Sequence, residues 1–267
     1  MAEWLSREER HAVARSEYER IMQVVSLEPV GAFIESGVLN FVFGELWRRG
    51  VLTPRDRRWI TLTCVGAAGA LPAIETHIYA ALKSGDITYS EFDEFVLHFA
   101  TQLGCPKASV MQAYGMAANF KITQEDGGEL TPPDFELSAG PTDDHSRRQR
   151  GAAVYEQIHG TAPPTASTPF RSLACLDYLY GEVWSRQRHL TRRDRRIISI
   201  CGAASTAIDE EAIEHLRAAL SQKDMTRREL EELVVHFAGY AGWNLARRLD
   251  DLLLLVADNL EDRPPRI

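Results

Sequence analysis

Apolar residues recur at helical spacing along most of the chain. Phe92, Phe95, Val96, Phe99 and Leu103 fall three or four positions apart, as do Leu230, Leu233, Val234 and Phe237. Each set paints one face of a helix. Start signals precede such stretches: Thr53 stands three residues before Asp56, with Pro54 between them, and Thr191 precedes Asp194 in the same way. Thr88 with Glu91 and Thr226 with Glu229 repeat the capping-box spacing, and Gly85 suits a helix stop. No alternating apolar–polar run bounded by hairpin turns occurs, so the expected fold class is all-α.

The pattern is written twice. Phe43-Gly-Glu-Leu-Trp47 matches Tyr180-Gly-Glu-Val-Trp184, and Leu52-Thr-Pro-Arg-Asp-Arg-Arg58 matches Leu190-Thr-Arg-Arg-Asp-Arg-Arg196. His77 before Tyr-Ala-Ala-Leu answers His215 before Arg-Ala-Ala-Leu, and His98-Phe-Ala100 answers His236-Phe-Ala238. The offset is 137 for the first match and 138 for the later ones, and Glu17-Tyr-Glu-Arg-Ile21 faces Val154-Tyr-Glu-Gln-Ile158. So many matches in register predict two tandem helical modules, 1–120 and 152–267. Between them, 121–151 carries Gly127-Gly128, Pro132-Pro133 and Gly140-Pro141, which is linker chemistry.

Charge and cysteine content narrow the function. The 267 residues hold 38 acidic and 30 basic side chains, a formal net charge of −8, which gives no general attraction for a phosphate backbone and argues against nucleic acid. The N-terminal residues lack the apolar core of a signal peptide and no apolar run is long enough to span a bilayer, so the expected location is the cytoplasm, away from membranes. Cys64, Cys105, Cys175 and Cys201 are far apart without a CxxC. That favours reduced, buried thiols over a disulfide framework or a zinc site. The motif histidines of one copy are 21 residues apart, without metal-ligand spacing, so no metal is expected.

With these motifs in order, the chain resembles the carboxymuconolactone decarboxylase family, relatives of the alkyl hydroperoxide reductase D fold. The resemblance runs through both copies: a Phe/Tyr-Gly-Glu-x-Trp helix, Leu-Thr-x-Arg-Asp-Arg, an Ala-rich helix, a histidine before Ala-Ala-Leu, and a helix with His-Phe-Ala. It implies cofactor-free helical subunits assembled as rings, commonly of six modules. Two modules per chain then imply a homotrimer. Peroxidase relatives carry CxxC seven and four residues before the motif histidine; here those positions are Ala70 and Ala73, or Ile208 and Glu211. The relay glutamate expected nineteen residues before the histidine is Arg58 or Arg196. Thiol–disulfide exchange needs a thiol as nucleophile, and neither copy has one there.

What remains is acid–base chemistry on a small-molecule substrate. Glu211 lies four residues before His215, so the two share a helix face. The first copy has Ala73 there, and its own acid, Glu75, lies on another face. Decarboxylase-like members of the family need an acid of suitable pKa, and desolvation is expected to raise that of Glu211 toward neutrality. Glu211, His215 and His236 are the candidate catalytic residues, with Tyr240, Arg195, Arg57, His77 and His98 as candidates for holding substrate. A cofactor-independent lyase or isomerase acting on a small carboxylated or enolisable cyclic compound is the leading expectation. A non-catalytic ligand-binding or scaffold protein is the alternative, with thiol peroxidase chemistry behind both. For His98 and His236 a core histidine with satisfied partners explains the sequence as well as catalysis does. Arg57 and Arg195 also suit bracing of a facing carboxylate.

Overall fold

A computed structural model describes residues 6–137 and 140–261. Among these, twelve helices and no strand are present: α1 Arg7–Met22, α2 Phe33–Leu46, α3 Pro54–Ala68, α4 Leu71–Lys83, α5 Tyr89–Leu103 and α6 Cys105–Asp126. The second half repeats the order with α7 Asp144–His159, α8 Phe170–Trp184, α9 Arg192–Ser205, α10 Asp209–Ser221, α11 Arg227–Ala241 and α12 Trp243–Glu261. The four expected capping boxes all form, at Thr53, Thr88, Thr191 and Thr226. A fifth forms at Ser6. The stretch without regular structure is shorter than the composition suggests, because α6 continues to Asp126 and α7 begins at Asp144. Its Asp134 N–H donates to Ser90 Oγ (2.9 Å), and its Glu136 accepts from the Arg188 N–H (3.1 Å). The connection is therefore tied to both halves.

Helices α2 and α8 are wound as π-helices, closed by bonds such as Trp47 N–H to Val42 C=O (3.0 Å). Runs this long are uncommon, and nothing in their residue pattern announces them. The motif glycine inside α8 has a clear cause. A Cβ on Gly181 would come within 2.6 Å of the Arg147 carbonyl oxygen, and one on Gly151 within 1.8 Å of that of Leu176. Helices α7 and α8 therefore approach backbone to backbone at these two glycines.

The two modules do not have separate cores. One apolar cluster takes Trp59, Phe92, Phe95 and Phe99 from the first half and Ile197, Ile200, Leu230 and Phe237 from the second. Smaller clusters under α1–α2 and α7–α8 flank it. Helix α3 packs on α9 and α11, and α5 packs on α9, so each half reaches into the other. The cap aspartates seal this interface: Arg55 pairs with Asp194 (3.1 Å) and Arg193 with Asp56 (3.0 Å). The same contact is thus made twice about a pseudo-twofold axis.

Candidate active site

Each module contributes a histidine to the other. His98, on α5 of the first half, meets Arg195 of the second: Arg195 Nη1 is 3.2 Å from His98 Nδ1, and His98 Nε2 is 3.0 Å from Ser199 Oγ. His236, on α11, meets Arg57 and Thr61 of the first half at 2.9 and 3.0 Å. A guanidinium can only donate, so Nδ1 of each imidazole accepts and the ring proton sits on Nε2, given to the hydroxyl. Both rings are wholly buried. Burial first, then the neighbouring arginine charge, holds both pKa values well below the usual histidine range. With both nitrogens engaged, His98 and His236 have no ring atom left for a substrate.

The arginines are committed through their terminal nitrogens, while the buried Nε of each has no hydrogen-bond partner. Arg57 Nη2 donates to Glu232 Oε1 (3.0 Å) and to the Arg49 carbonyl (2.5 Å). Arg195 Nη2 donates to Glu94 Oε1 and to the Arg186 carbonyl, both at 2.7 Å. Glu232 and Glu94 are reinforced by Arg49 and Arg186. Arg57 and Arg195 do line two equivalent open clefts, of about 460 and 490 Å3. Neither cleft is lined by Glu211 or His215.

The expected grouping of Glu211 and His215 with His236 and Tyr240 is therefore corrected. Tyr240 sits in the first module's cluster, accepting from Trp47 Nε1 (2.8 Å) with its ring 5.3 Å from that of His77. Burial pushes its phenol up to about 12. Sequence register alone placed it beside His215, whereas the crossing of α11 onto α3 carries it to the opposite half. There His77 is buried and held down to about 3 by desolvation and then by the charge of Arg58. His77 Nδ1 and Arg58 Nη1 are both without hydrogen-bond partners.

In the second module the equivalent bond is made. Arg196 Nη1 lies 2.8 Å from His215 Nδ1, and His215 Nε2 lies 3.2 Å from Glu211 Oε1. By the same donor logic Nδ1 accepts from Arg196 and the Nε2 proton points at Glu211. His215 is buried, and desolvation lowers its pKa against the opposing effect of the hydrogen bond it donates to Glu211. The Glu211 side chain is 38% exposed. Its pKa is lowered, chiefly by the His215 hydrogen bond, which outweighs desolvation. The expected rise toward neutrality does not occur, because a donated N–H favours the carboxylate.

Four further polar groups surround this pair that the sequence motifs did not point to. His159 Nε2 is 2.9 Å from the Tyr180 hydroxyl, and its ring centroid is 5.4 Å from that of His215. Tyr155 donates its hydroxyl to Glu214. His159 Nδ1, without a hydrogen-bond partner, faces Glu214 Oε1 at 3.5 Å. The first module has Met22, Phe43 and Thr76 where the second has His159, Tyr180 and Glu214, and Ala73 where it has Glu211. Reading the repeats against each other position by position, not only for matches, would have exposed this difference. Cys175 lies close enough to Glu211 for the carboxylate charge to raise its pKa, after burial as the main cause.

Fold and site together define an all-helical, internally duplicated protein whose second half holds a polar cluster where the first has Met22, Phe43, Ala73 and Thr76. Residues 173–253 match the model of the carboxymuconolactone decarboxylase family. No curated protein matches the chain. Among the described residues no helix is long and apolar enough to cross a membrane.

Proposed function

We propose that the second module is a cofactor-independent acid–base site for a small carboxylated or enolisable cyclic substrate, acting as a lyase or isomerase. The carrying observation is the directed relay Arg196–His215–Glu211. It fixes the imidazole tautomer, delivers an N–H to the carboxylate, and leaves the second Glu211 oxygen free to take a proton from carbon. An ionised Glu211 is a base in this reading, so the acid needed to complete the reaction comes from another group. The first module, with Ala73 in place of Glu211, is a bracing partner whose His98 and Glu94 hold Arg195 next to Arg196.

The test is turnover of carboxymuconolactone and related unsaturated lactones by the intact chain and by Glu211→Gln. Loss of about a hundredfold or more in turnover is expected; equal turnover by the variant would remove Glu211 from the chemistry. The proposal extends to assembly. Phe33 and Phe170 occupy equivalent positions and are 76% and 70% exposed, and Met116 and Leu254 repeat the pattern at 57% and 40%. Apolar residues exposed at matching places on both halves suit a closed ring, for which three chains supply six modules.

A further inference from the structure

The two equivalent clefts beside Arg57 and Arg195 differ in charge. Four arginines line each: Arg20, Arg48, Arg49 and Arg57 in the first half, Arg186, Arg192, Arg193 and Arg195 in the second. In the second cleft every one of them is met by a carboxylate. Glu94 takes Arg186 and Arg195, Asp224 takes Arg192, and Asp56 with Glu229 takes Arg193. Four acids offset four arginines there. The first cleft has two: Glu17 takes Arg20 at 2.7 Å, and Glu232 is shared by Arg49 and Arg57. Among the described residues Arg48 has no acidic partner, only a long 3.5 Å hydrogen bond to the Gly44 carbonyl. Glu45, three residues earlier in the chain, pairs with Arg10 instead (2.7 Å). The first cleft thus keeps an excess of two positive charges in a chain whose net charge is −8.

We propose that the first cleft binds a small organic dianion, a phosphate monoester or a dicarboxylate, through Arg48 together with Arg20 and Arg49. The last two are half exposed, and they keep donors in reserve. Arg20 spends Nε and Nη2 on Glu17, and Arg49 spends Nε on Glu232, which leaves Arg20 Nη1 and both terminal nitrogens of Arg49 for a ligand. A guanidinium fork matches two oxygens of a phosphate or carboxylate. A phosphate monoester carries about −1.5 to −2 at neutral pH, which the charge excess answers. Ile21, Trp47, Leu52 and Pro54 give the same cleft an apolar lining for the organic body, and its volume of about 460 Å3 suits a small molecule. Arg57, wholly buried, adds charge and remains a brace. The second half has Gln157 and Ser185 where the first has Arg20 and Arg48, so its cleft lacks both the excess and the unpaired donor. Since neither Glu211 nor His215 lines the first cleft, this site stands apart from the acid–base reading and does not depend on it.

Calorimetric titration of the full-length protein with phenyl phosphate and with phthalate tests this, with benzoate as a monoanion built on the same ring. At least one dianion is expected to bind with Kd of about 1 mM or lower, and about tenfold or more tighter than benzoate. Tighter phenyl phosphate assigns a phosphate monoester, and tighter phthalate a dicarboxylate. Arg48→Ser, which copies Ser185 of the second half, should weaken that dianion about tenfold while leaving the melting temperature in place. Arg248→Gln removes an exposed arginine outside the cleft and should change nothing. Glu211→Gln should bind as the parent does. No dianion binding by the parent, or affinity unchanged in Arg48→Ser, overturns the proposal. So does an equal loss in Arg248→Gln, which would mean only a general attraction of charge. A loss confined to Glu211→Gln would move the dianion to the polar cluster and overturn it as well. No turnover is measured in these titrations, so their outcome is independent of whether the second half is a catalyst.

Discussion

Arg57 Nη1 lies 2.9 Å from His236 Nδ1, across the boundary between the two repeats. Arg195 and His98 make the mirror contact at 3.2 Å. These are not edge contacts: all four side chains are buried, and each guanidinium also serves a glutamate of the opposite half.

Replacing His236 with alanine leaves Arg57 Nη1 and Thr61 without their partner and opens a cavity. The expected loss is about 3 kcal/mol in denaturant unfolding, with His98→Ala similar. A cost below about 1 kcal/mol for both would mean that the braces contribute little to the fold.

Arg57→Lys and Arg195→Lys address substrate binding against bracing. A lysine cannot reach histidine, glutamate and carbonyl together, so each variant should lose about 2–4 kcal/mol of stability. If stability were instead unchanged and KM for carboxymuconolactone rose more than tenfold, the guanidiniums would be binding substrate directly.

Acid should unfold this protein early. His77 and His159 have folded pKa values of about 3 and about 2, below the unfolded value of 6.5. Lowered histidines contribute stability that is complete above pH 6.5 and is lost as pH falls from there toward the folded values, because the unfolded chain binds the protons first. Between pH 6.5 and 5 each of the two should remove about 2 kcal/mol. His98 and His236, lowered in the same sense, deepen the fall. Unfolding free energy measured against pH should drop steeply in that window. A flat profile down to pH 5 would contradict the burial of neutral imidazoles.

The two motif histidines should behave differently. His215→Gln breaks the link from Arg196 to Glu211 and should cut turnover by about two orders of magnitude. His77→Gln, in the half that has Ala73, Met22 and Phe43 in place of Glu211, His159 and Tyr180, should leave turnover within about threefold. Equal losses from both would assign chemistry to both modules.

Helices, caps and duplication were open to sequence reasoning because they are local or self-referential: a capping box needs only Thr53 and Asp56, and a repeat needs only itself. The Glu211–His215 pair was legible for the same reason, being one turn of one helix. The partners of His236, Tyr240 and His98 were not, because they depend on how α5 and α11 cross onto the other repeat, and no spacing encodes that. His159 and Tyr180 lay hidden in stretches that match the first copy in outline, where the informative residue is the one that differs. The sign of the Glu211 pKa shift turned on a competition between desolvation and a donated N–H, which only geometry resolves.

Exchanged histidines also bear on ancestry. When two identical chains brace each other, every substitution arrives in both pockets at once, so neither can be simplified without harming the other. Joining the copies end to end, as the tether between α6 and α7 does, lifts that restriction. One half can shed its acid, imidazole and phenol while continuing to lend its scaffold to the half that keeps them.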